Sequence, residues 1–324
     1  MEGPNIPEAA GLPKIQHYVP RLLLRNFTCG KRDQVYVFDK HEERVFRTNI
    51  KNAACQNAFY DITLDDEYIA SLEPSLAALE SRTAGVIQTI IDSESLHPSD
   101  HERALLSVFT AVQFLRGPNP RHQILEANSQ MEAKLRAMGQ DVSTIQGWGP
   151  FDEPEAKVIA LSMLRKPGDF AVHFASKCWV LLRPPRGGTF YISDNPIALQ
   201  NSRPRHPFVG NLGLAVAGIE IYLPLTKTLT LAFLCPSIYS ELKTGLEAVR
   251  AQRAPGIARA RALLGSIEGG TPDRLSDQEL QRLNGLQVGS AARFVYASSE
   301  GFDVAREMIR NNPGFKRGPG MKLS

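Results

Sequence analysis

The chain has 324 residues, of which 43% are hydrophobic and 22% charged, a composition typical of one elaborated globular domain or two fused ones. Its formal net charge of +3 is too small to indicate nucleic-acid binding by itself. No stretch approaches the roughly 20 apolar residues of a membrane span, and the first residues lack the basic and apolar regions of a secretory signal. We therefore expect a soluble, cytoplasmic protein that does not enter a membrane.

The cysteines form no CxxC pair, which argues against a cysteine-based zinc site.

The N-terminal part of the chain combines an arm, a short helix and a hairpin. Residues 1–14 are rich in proline and glycine, and we predict that they form a flexible arm. In “QHYVPRLLLRNF” a short helix begins at Pro20, which places Arg21 and Arg25 on one face at a spacing of four. His17 lies just before this helix. The alternating valines of “QVYVFDKHEERVFRTNI” predict an N-terminal β-hairpin, so residues 15–62 form a helix-and-hairpin unit.

The middle of the chain, residues 63–168, is expected to form a helical layer. Apolar residues recur at helical spacing in four stretches, which are 66–92, 99–116, 121–138 and 154–165. Ser99 is a favourable N-cap for the second of these helices. Gly117 and Pro118 are typical of a helix end, so the second helix is expected to stop there.

Residues 169–300 are expected to form strands and then helices. Four short apolar or alternating runs, separated by proline and glycine turns, are typical of antiparallel strands: “CWVLLRPP”, “TFYISDNP”, “IEIYLPLT” and “LTLAFLCP”. Helices are predicted at about 237–249, 256–265 and 276–289, and “ARFVYASS” is either a last strand or the end of a helix. Residues 301–324 are treated as a C-terminal tail that ends in a disordered segment.

These elements together predict an α+β fold. In it a central helical layer packs against a mostly antiparallel β-sheet, with the hairpin at the N-terminal side. Residues 15–300 are expected to form a single domain.

Two glutamates lie on an unusual stripe of the first long predicted helix. Positions 70, 73, 77, 80 and 84 read Ala, Glu, Ala, Glu, Ala and fall on one line down a helix. Because the neighbouring line of leucines must be buried, Glu73 and Glu80 are expected at the edge of the core. Gln113 and Arg116 end the apolar face of the next helix, where a buried arginine needs a partner or water. Either these residues share a polar pocket, or the two glutamates are solvated or paired with Arg82 or another arginine, of which Arg116 is one candidate.

Two further polar features stand outside the long helices. The motif “YISDNP” places Asp194 and Asn195 at a strand end, from which a rigid backbone can aim catalytic or ligand-binding side chains. An Asx turn that ends the strand is the plainer alternative. His17, with an ordinary pKa of about 6.5, is a competent base or metal ligand at neutral pH.

Two functions remain open on these residues. The first is hydrolysis of a phosphodiester or nucleotide, in its most concrete form by a nuclease that uses Mg²⁺ or Mn²⁺. Its catalytic residues would be His17, Glu80 and Asp194, and its metal ligands would be Glu73, Glu80 and Asp194. Its substrate-binding residues would be Arg21, Arg25, Gln113, Arg116 and Asn195. The second is a non-catalytic protein that binds or senses a ligand or a nucleic acid through the same polar cluster.

The order of these motifs resembles the bacterial family called domain of unknown function 4238. The matching pieces span about residues 15–300 and are “QHYVPRLLLRNF”, “VYVFDK”, “NAFYD”, “LEPSLAALESRTAG”, “AVQFLRGPNPR”, “FYISDNPI”, “GIEIYLPLT” and “LN…AARFVYASS”. The resemblance implies a bacterial cytoplasmic protein with one family domain, and it supplies no reaction. It also implies that several polar residues are signature positions: His17, Arg21, Gln113, Arg116, Asp194 and Asn195. “HYVPR” is similar to the start of some HNH nucleases as well, but here a leucine-rich helix follows in place of their β-ribbon.

Overall fold

The computed structural model describes residues 14–30, 32–63, 69–145, 148, 151–204, 211–249 and 255–320. The predicted flexible arm lies outside these residues, except for Lys14. The first described part of the chain contains short strands and one short helix: β1 (Ile15–His17), α1 (Arg21–Leu24), β2 (Gln34–Asp39), β3 (Arg44–Asn49), β4 (Cys55–Asn57), β5 (Asp61–Thr63) and β6 (Ile69–Ser71). The helix predicted after Pro20 is confirmed, and it tightens into a 3₁₀ turn over Arg25–Phe27.

A run of helices then forms the predicted helical layer: α2 (Glu73–Ser93), α3 (Asp100–Leu115), α4 (Asn119–Ala137), α5 (Glu153–Met163) and α6 (Gly168–Ala175). Ser99 caps α3 as predicted. Its side chain accepts from the Glu102 N–H, and the Ser99 N–H donates to the Glu102 carboxylate. The predicted start of the first long helix is wrong. Ile69–Ser71 pairs with β5 as strand β6, and α2 begins only at Glu73. The eight residues of α6 are too few for the sequence pattern to indicate a helix.

The last part of the chain contains the remaining described strands and four helices: β7 (Cys178–Arg183), β8 (Ile192–Ser193), β9 (Ala198–Asn201), β10 (Ile219–Thr226), β11 (Leu229–Leu234), α7 (Pro236–Ala248), α8 (Pro255–Gly269), β12 (Asp273–Arg274), α9 (Asp277–Ser290), β13 (Phe294–Ala297) and α10 (Asp303–Asn311). The helices predicted at 237–249, 256–265 and 276–289 are confirmed as α7, α8 and α9. “ARFVYASS” contains strand β13.

The described strands build two larger sheets. One has the order β12-β7-β11-β10-β9, in which only the β12–β7 pair is parallel. The other has the order β3-β2-β13-β8 and is antiparallel throughout. Its β2–β3 pair is the predicted hairpin. An α+β fold with mostly antiparallel sheets is therefore confirmed. The other described strands form two separate two-stranded sheets, β1-β4 and β5-β6.

Helix α10 corrects the interpretation of residues 301–320 as a tail, and residues 321–324 of the predicted tail lie outside the described part of the chain. Phe302, Ala305 and Ile309 are buried in a second hydrophobic cluster, where Phe302 stacks on Phe38 of β2 at a centroid distance of 5.6 Å. Residues 313–316 continue as a 3₁₀ turn. This part of the chain is thus packed on the four-stranded sheet. Among the residues described above, no helix has the length and apolar character needed to cross a membrane.

Candidate functional site

Arg116, which follows the last turn of α3, is the centre of a buried polar cluster. Its Nε donates to the Tyr60 hydroxyl at 3.0 Å, its Nη1 donates to Glu80 Oε1 at 2.6 Å, and its Nη2 donates to the His17 carbonyl oxygen. The arginine is only 3% exposed. Burial lowers the pKa of Arg116, but Tyr60 and Glu80 outweigh it and hold the guanidinium charged. We call Arg116, Tyr60, Glu80 and the His17 backbone the Arg116 cluster.

The segment that contains β1 is tied to this cluster from two sides. Gln113, one turn before Arg116, donates its side-chain amide to the Tyr18 carbonyl oxygen at 2.9 Å. Gln16 accepts from the Tyr60 N–H at 2.6 Å and donates to Asp61 Oδ1 at 2.6 Å. Two residues predicted to bind substrate, Gln113 and Arg116, are therefore engaged with backbone carbonyl groups of “QHY”. Of the two interpretations of Arg116, pairing with a helix glutamate describes the geometry.

The His17 side chain lies beside the cluster. Its Nε2 is 3.2 Å from the Ile50 carbonyl oxygen, so this nitrogen carries the proton and donates. Burial lowers the pKa of His17, and the charges of Arg21 and Arg116 lower it further. The imidazole is accordingly neutral near pH 7.

Glu73 and Arg21 each keep a buried polar atom without a partner among the described residues. These atoms are Glu73 Oε2 and Arg21 Nε. Burial raises the pKa of Glu73, Arg116 opposes this, and the nearby Glu80 and Asp61 add to it. Glu73 is thus close to the cluster without belonging to the ion pair. Arg25 is exposed on the 3₁₀ turn after α1.

Asp194 corrects the predicted metal site. Its carboxylate is buried, with Oδ1 accepting from the Ala292 N–H and Oδ2 from the Arg293 and Phe294 N–H groups, each at 2.7 Å. Burial raises the pKa of Asp194, and the three N–H donors and the Lys40 ammonium oppose that rise. Both oxygens are therefore used to fix the chain before β13, and Asp194 does not join Glu73 and Glu80. Across the described ranges, no group of three or more His, Cys, Asp or Glu side chains could hold a metal ion.

A large cavity lies between α4, α9 and the C-terminal segment. Part of its lining, Leu115 and Asn119, flanks Arg116 in the sequence. Its volume is about 680 Å³, and most of its lining is apolar. The apolar lining comes from widely separated parts of the sequence and includes Phe114, Leu115, Ile124, Ile197, Leu199, Leu286, Met308 and Phe315. We call it the α9 cavity, because Arg282, Gly285, Leu286, Gly289 and Ser290 of that helix line one wall.

The polar part of the α9 cavity is built where “GPN” meets “SDNP”. Asn119 and Asn195 both line the cavity, and both side-chain amides donate to the Ser290 carbonyl oxygen, at 2.7 and 3.2 Å. Asn195 Oδ1 is buried without a hydrogen-bond partner. A Cβ on Gly117 would lie 2.8 Å from that oxygen, so only glycine allows the two loops to approach this closely. Asn195 is thus the one predicted site residue that lines the cavity.

Lys40 holds the wall on the C-terminal side. Its fully buried ammonium donates to the Val288 and Ala291 carbonyl oxygens at 2.8 and 2.6 Å, and to that of Arg317 at 3.3 Å. Burial lowers the pKa of Lys40 to about 8, and Asp194 opposes this. One side chain therefore joins the end of α9 to the segment that carries Phe315 and Pro319. The sequence pattern around Lys40 does not indicate this role, because it looks like a charged hairpin turn.

Comparison with known proteins agrees with the resemblance seen in the motifs. The model of a family described as “Protein of unknown function (DUF4238)” matches residues 15–301. Neither the curated proteins nor the solved structures give a match. The match covers the whole Arg116 cluster and the lining of the α9 cavity except Met308, Phe315 and Pro319. Its description assigns no reaction to any residue.

Proposed function

This chain belongs to the DUF4238 family, and we propose that it is a binding protein that takes up a small, largely apolar molecule in the α9 cavity. The observation that carries the proposal is the cavity itself, with a volume of about 680 Å³ and a mostly apolar lining. Small-molecule sites are typically clefts of about 300–1,000 Å³ with apolar walls and a few polar groups.

Two physical arguments support an occupant for this space. The cavity is partly open to solvent, and a large apolar surface left in contact with water often marks a ligand-binding groove. Apolar walls also offer water few hydrogen bonds, and an apolar ligand gains from leaving water when it replaces the weakly held solvent. The uncharged polar residues that line the space, Asn119, Gln123, Asn195 and Ser290, would then help to orient the ligand.

The test is a fluorescence titration with N-phenyl-1-naphthylamine, a neutral apolar probe that brightens on leaving water. Gly289 lines the cavity, and a Cβ there would meet only Phe315 Cε1, at 3.7 Å. Gly289→Phe is therefore expected to place a ring inside the cavity, narrow the space between its walls and weaken probe binding at least tenfold. Gly289→Ala is the matched control, because it changes the same helix position and leaves most of the volume open.

Circular dichroism on both variants checks that they fold. The wild-type protein should bind the probe saturably, and Gly289→Ala should bind it similarly. A folded wild-type protein that does not bind the probe, or a Gly289→Phe variant that binds it equally well, would contradict the proposal.

A second candidate function, hydrolysis of a phosphodiester or nucleotide, is favoured by one specific observation. Two groups beside Arg116 have shifted proton affinities, since burial lowers the pKa of His17 and raises the pKa of Glu73. Such shifts occur often at catalytic sites. In this function His17 would be the base, and Arg21 and Arg25 would hold the phosphate.

The experiment for this candidate is incubation with RNA, DNA and nucleotides, with Mg²⁺ or Mn²⁺ added. Cleavage that is lost in His17→Ala and retained in His122→Ala, which changes an exposed histidine on α4, would support hydrolysis. Absence of cleavage by the folded wild-type protein would leave ligand binding as the better function.

A further inference from the structure

The stripe of α9 that lines the cavity ends in a charged residue. Arg282, Gly285, Leu286 and Gly289 follow one another at spacings of three, one and three, so they share a helix face, and all four line the α9 cavity. Arg282 also lines a neighbouring cavity of about 310 Å³. Its side chain keeps 39% of its surface exposed. The arginine therefore stands at the edge of the cavity, with a positive charge next to an apolar interior.

The charge of Arg282 is only partly balanced by the protein. Its Nη1 donates to Gln200 Oε1, a neutral group, and lies 3.8 Å from Glu220 Oε2. That carboxylate already accepts hydrogen bonds from Ser202 Oγ, at 3.0 Å, and from the Tyr222 hydroxyl. The guanidinium carbon also lies 5.9 Å from the centre of the Tyr222 ring. A guanidinium has five N–H donors, more than these neighbours use.

The described residues that line the α9 cavity include no other charged side chain and no acidic one. A negative group at the Arg282 edge of the cavity would therefore find a partner that it shares with Glu220, and no acidic group within the α9 cavity itself. A positive group would find no carboxylate in the lining to receive it.

Resting on the proposed binding function, we propose that the ligand is an apolar molecule with a single anionic group, such as a carboxylate. The anion pairs with Arg282 at the edge of the cavity, and the apolar body lies between α4 and α9. An arginine and a carboxylate can form two parallel charge-assisted hydrogen bonds, which fixes the orientation of the ligand as well as its charge. Partial exclusion of water at the edge strengthens such a pair relative to one on an open surface.

The test is displacement of N-phenyl-1-naphthylamine by three ten-carbon compounds that differ in the head group only: decanoate, decanol and decylamine. Decanoate is expected to bind wild-type protein roughly tenfold more tightly than decanol, as one added charge-assisted pair would give. Decylamine should bind more weakly than either. The affinity for decanoate should also fall as salt is added, while that for decanol changes little.

The decisive variant is Arg282→Gln. It should reduce decanoate affinity about tenfold, to the level of decanol, without changing decanol affinity. Arg136→Gln, at the far end of α4 in an exposed pair with Glu132, is the matched control and should keep the wild-type preference.

Equal affinity of the wild-type protein for decanoate and decanol, or a decanoate preference that survives Arg282→Gln, would overturn the anionic class and leave the binding function standing. Failure of the probe itself to bind would overturn both proposals. The two failures are thus told apart in one set of titrations.

Discussion

The Arg116 cluster and the α9 cavity are neighbours in the sequence, yet they are built in opposite ways. Arg116 lies in the cluster, Gly117 packs against Asn195 of the cavity wall, and Asn119, three residues after Arg116, lines the cavity itself. In the cluster a buried charge meets a hydroxyl, a carboxylate and a carbonyl oxygen, each within hydrogen-bonding distance. In the cavity the polar groups are few and the space between the apolar walls is open.

This difference shows that a conspicuous buried polar residue and a large cavity need not coincide. A buried arginine is costly unless its donors are satisfied, so the protein surrounds Arg116 with partners and leaves it little capacity for a ligand. The cavity needs no such partners, because apolar walls have no hydrogen bonds to satisfy. We infer that the cluster acts as an anchor. It fixes the backbone of “QHY” to α3 and thereby holds Arg116 in place, from which the chain continues through Gly117 to Asn119 of the cavity lining.

The strongest way to break the comparison is Arg116→Met. The variant keeps the length of the side chain but leaves Glu80 and the Tyr60 hydroxyl without their partner. We expect the free energy of unfolding to fall by about 3 kcal/mol, the lower end for a broken buried pair, because Glu80 keeps 24% of its side chain exposed. Urea unfolding monitored by circular dichroism measures the loss.

Arg136→Met, in the exposed pair with Glu132, should change stability by less than about 0.5 kcal/mol and serves as the control. A stable Arg116→Met protein that has lost probe binding would show that the cluster belongs to the binding site and is not an anchor.

The next largest effect is expected for Asp194→Asn, at the other signature motif. An amide has one acceptor oxygen where the carboxylate has two, so at least one of the N–H groups of Ala292, Arg293 and Phe294 loses its bond. Unfolding should become easier by about 2–3 kcal/mol, as for loss of a bond to a charged acceptor in a buried place.

Asp303→Asn, on a 93% exposed side chain of α10, should change the unfolding free energy little. Adding Mg²⁺ distinguishes a role of Asp194 in fixing the backbone from a role as a metal ligand. If Asp194 only fixes the backbone, Mg²⁺ should shift the melting temperatures of wild type and of Asp194→Asn equally. A stabilisation by Mg²⁺ that needs Asp194 would restore the metal site that the geometry argues against.

Much of the fold could be predicted because its local signals are strong. Ser99 and Ser276 each begin a capping box that fixes the start of a helix. Alternating valines likewise indicate the β2–β3 hairpin. Helix α10 shows the limit: Phe302, Ala305 and Ile309 have helical spacing, but glycine and proline on either side favour a tail. The sheet order, by contrast, depends on pairings between distant residues, such as Val295 with Phe38, which no local pattern specifies.

The candidate site divides in the same way. Local spacing offered a pair between Arg116 and a glutamate of α2 as one of two alternatives, since the glutamates lie on α2 and Arg116 ends α3. The α9 cavity has no comparable signal, because a leucine that faces a void has the same helical period as one in a close-packed core. Asn195 was found only because a polar motif marked it. The convergence of Phe114, Leu286 and Phe315, about 170 and 30 residues apart along the chain, is a property of the tertiary structure alone.

Gly117→Ala tests the junction of the two regions, with a smaller expected effect. The added Cβ would lie 2.8 Å from Asn195 Oδ1, so the loop must shift or the Asn195 side chain must rotate. We expect stability to fall by about 1–2 kcal/mol, as in mild overpacking, and probe affinity to fall with it. Gly85→Ala, within α2 and with no atom within 4 Å of the new Cβ, is the matched control.

The control should gain stability by about 0.5–1 kcal/mol from the better helix propensity of alanine. Gly117→Ala could instead behave like Gly85→Ala in both stability and probe affinity. The chain at Gly117 would then lie farther from Asn195 than the 2.8 Å contact implies.

The smallest effect is expected for Glu73→Gln, and it depends on pH. Because burial raises the pKa of Glu73 above its usual 4.5, the folded state holds the proton more tightly than the unfolded state. The contribution of the protonated Glu73 to the free energy of unfolding is complete below about pH 4.5, and it is lost as the pH rises through the folded-state pKa. Glutamine does not ionise, so Glu73→Gln should melt higher than wild type at pH 7–8, and the difference should shrink towards pH 4. Glu80→Gln, which weakens the pair with Arg116, should instead melt lower than wild type at pH 7–8. A Glu73→Gln variant that melts lower there as well would mean that the ionised Glu73 has a stabilising partner, and the cluster would then contain a second ion pair.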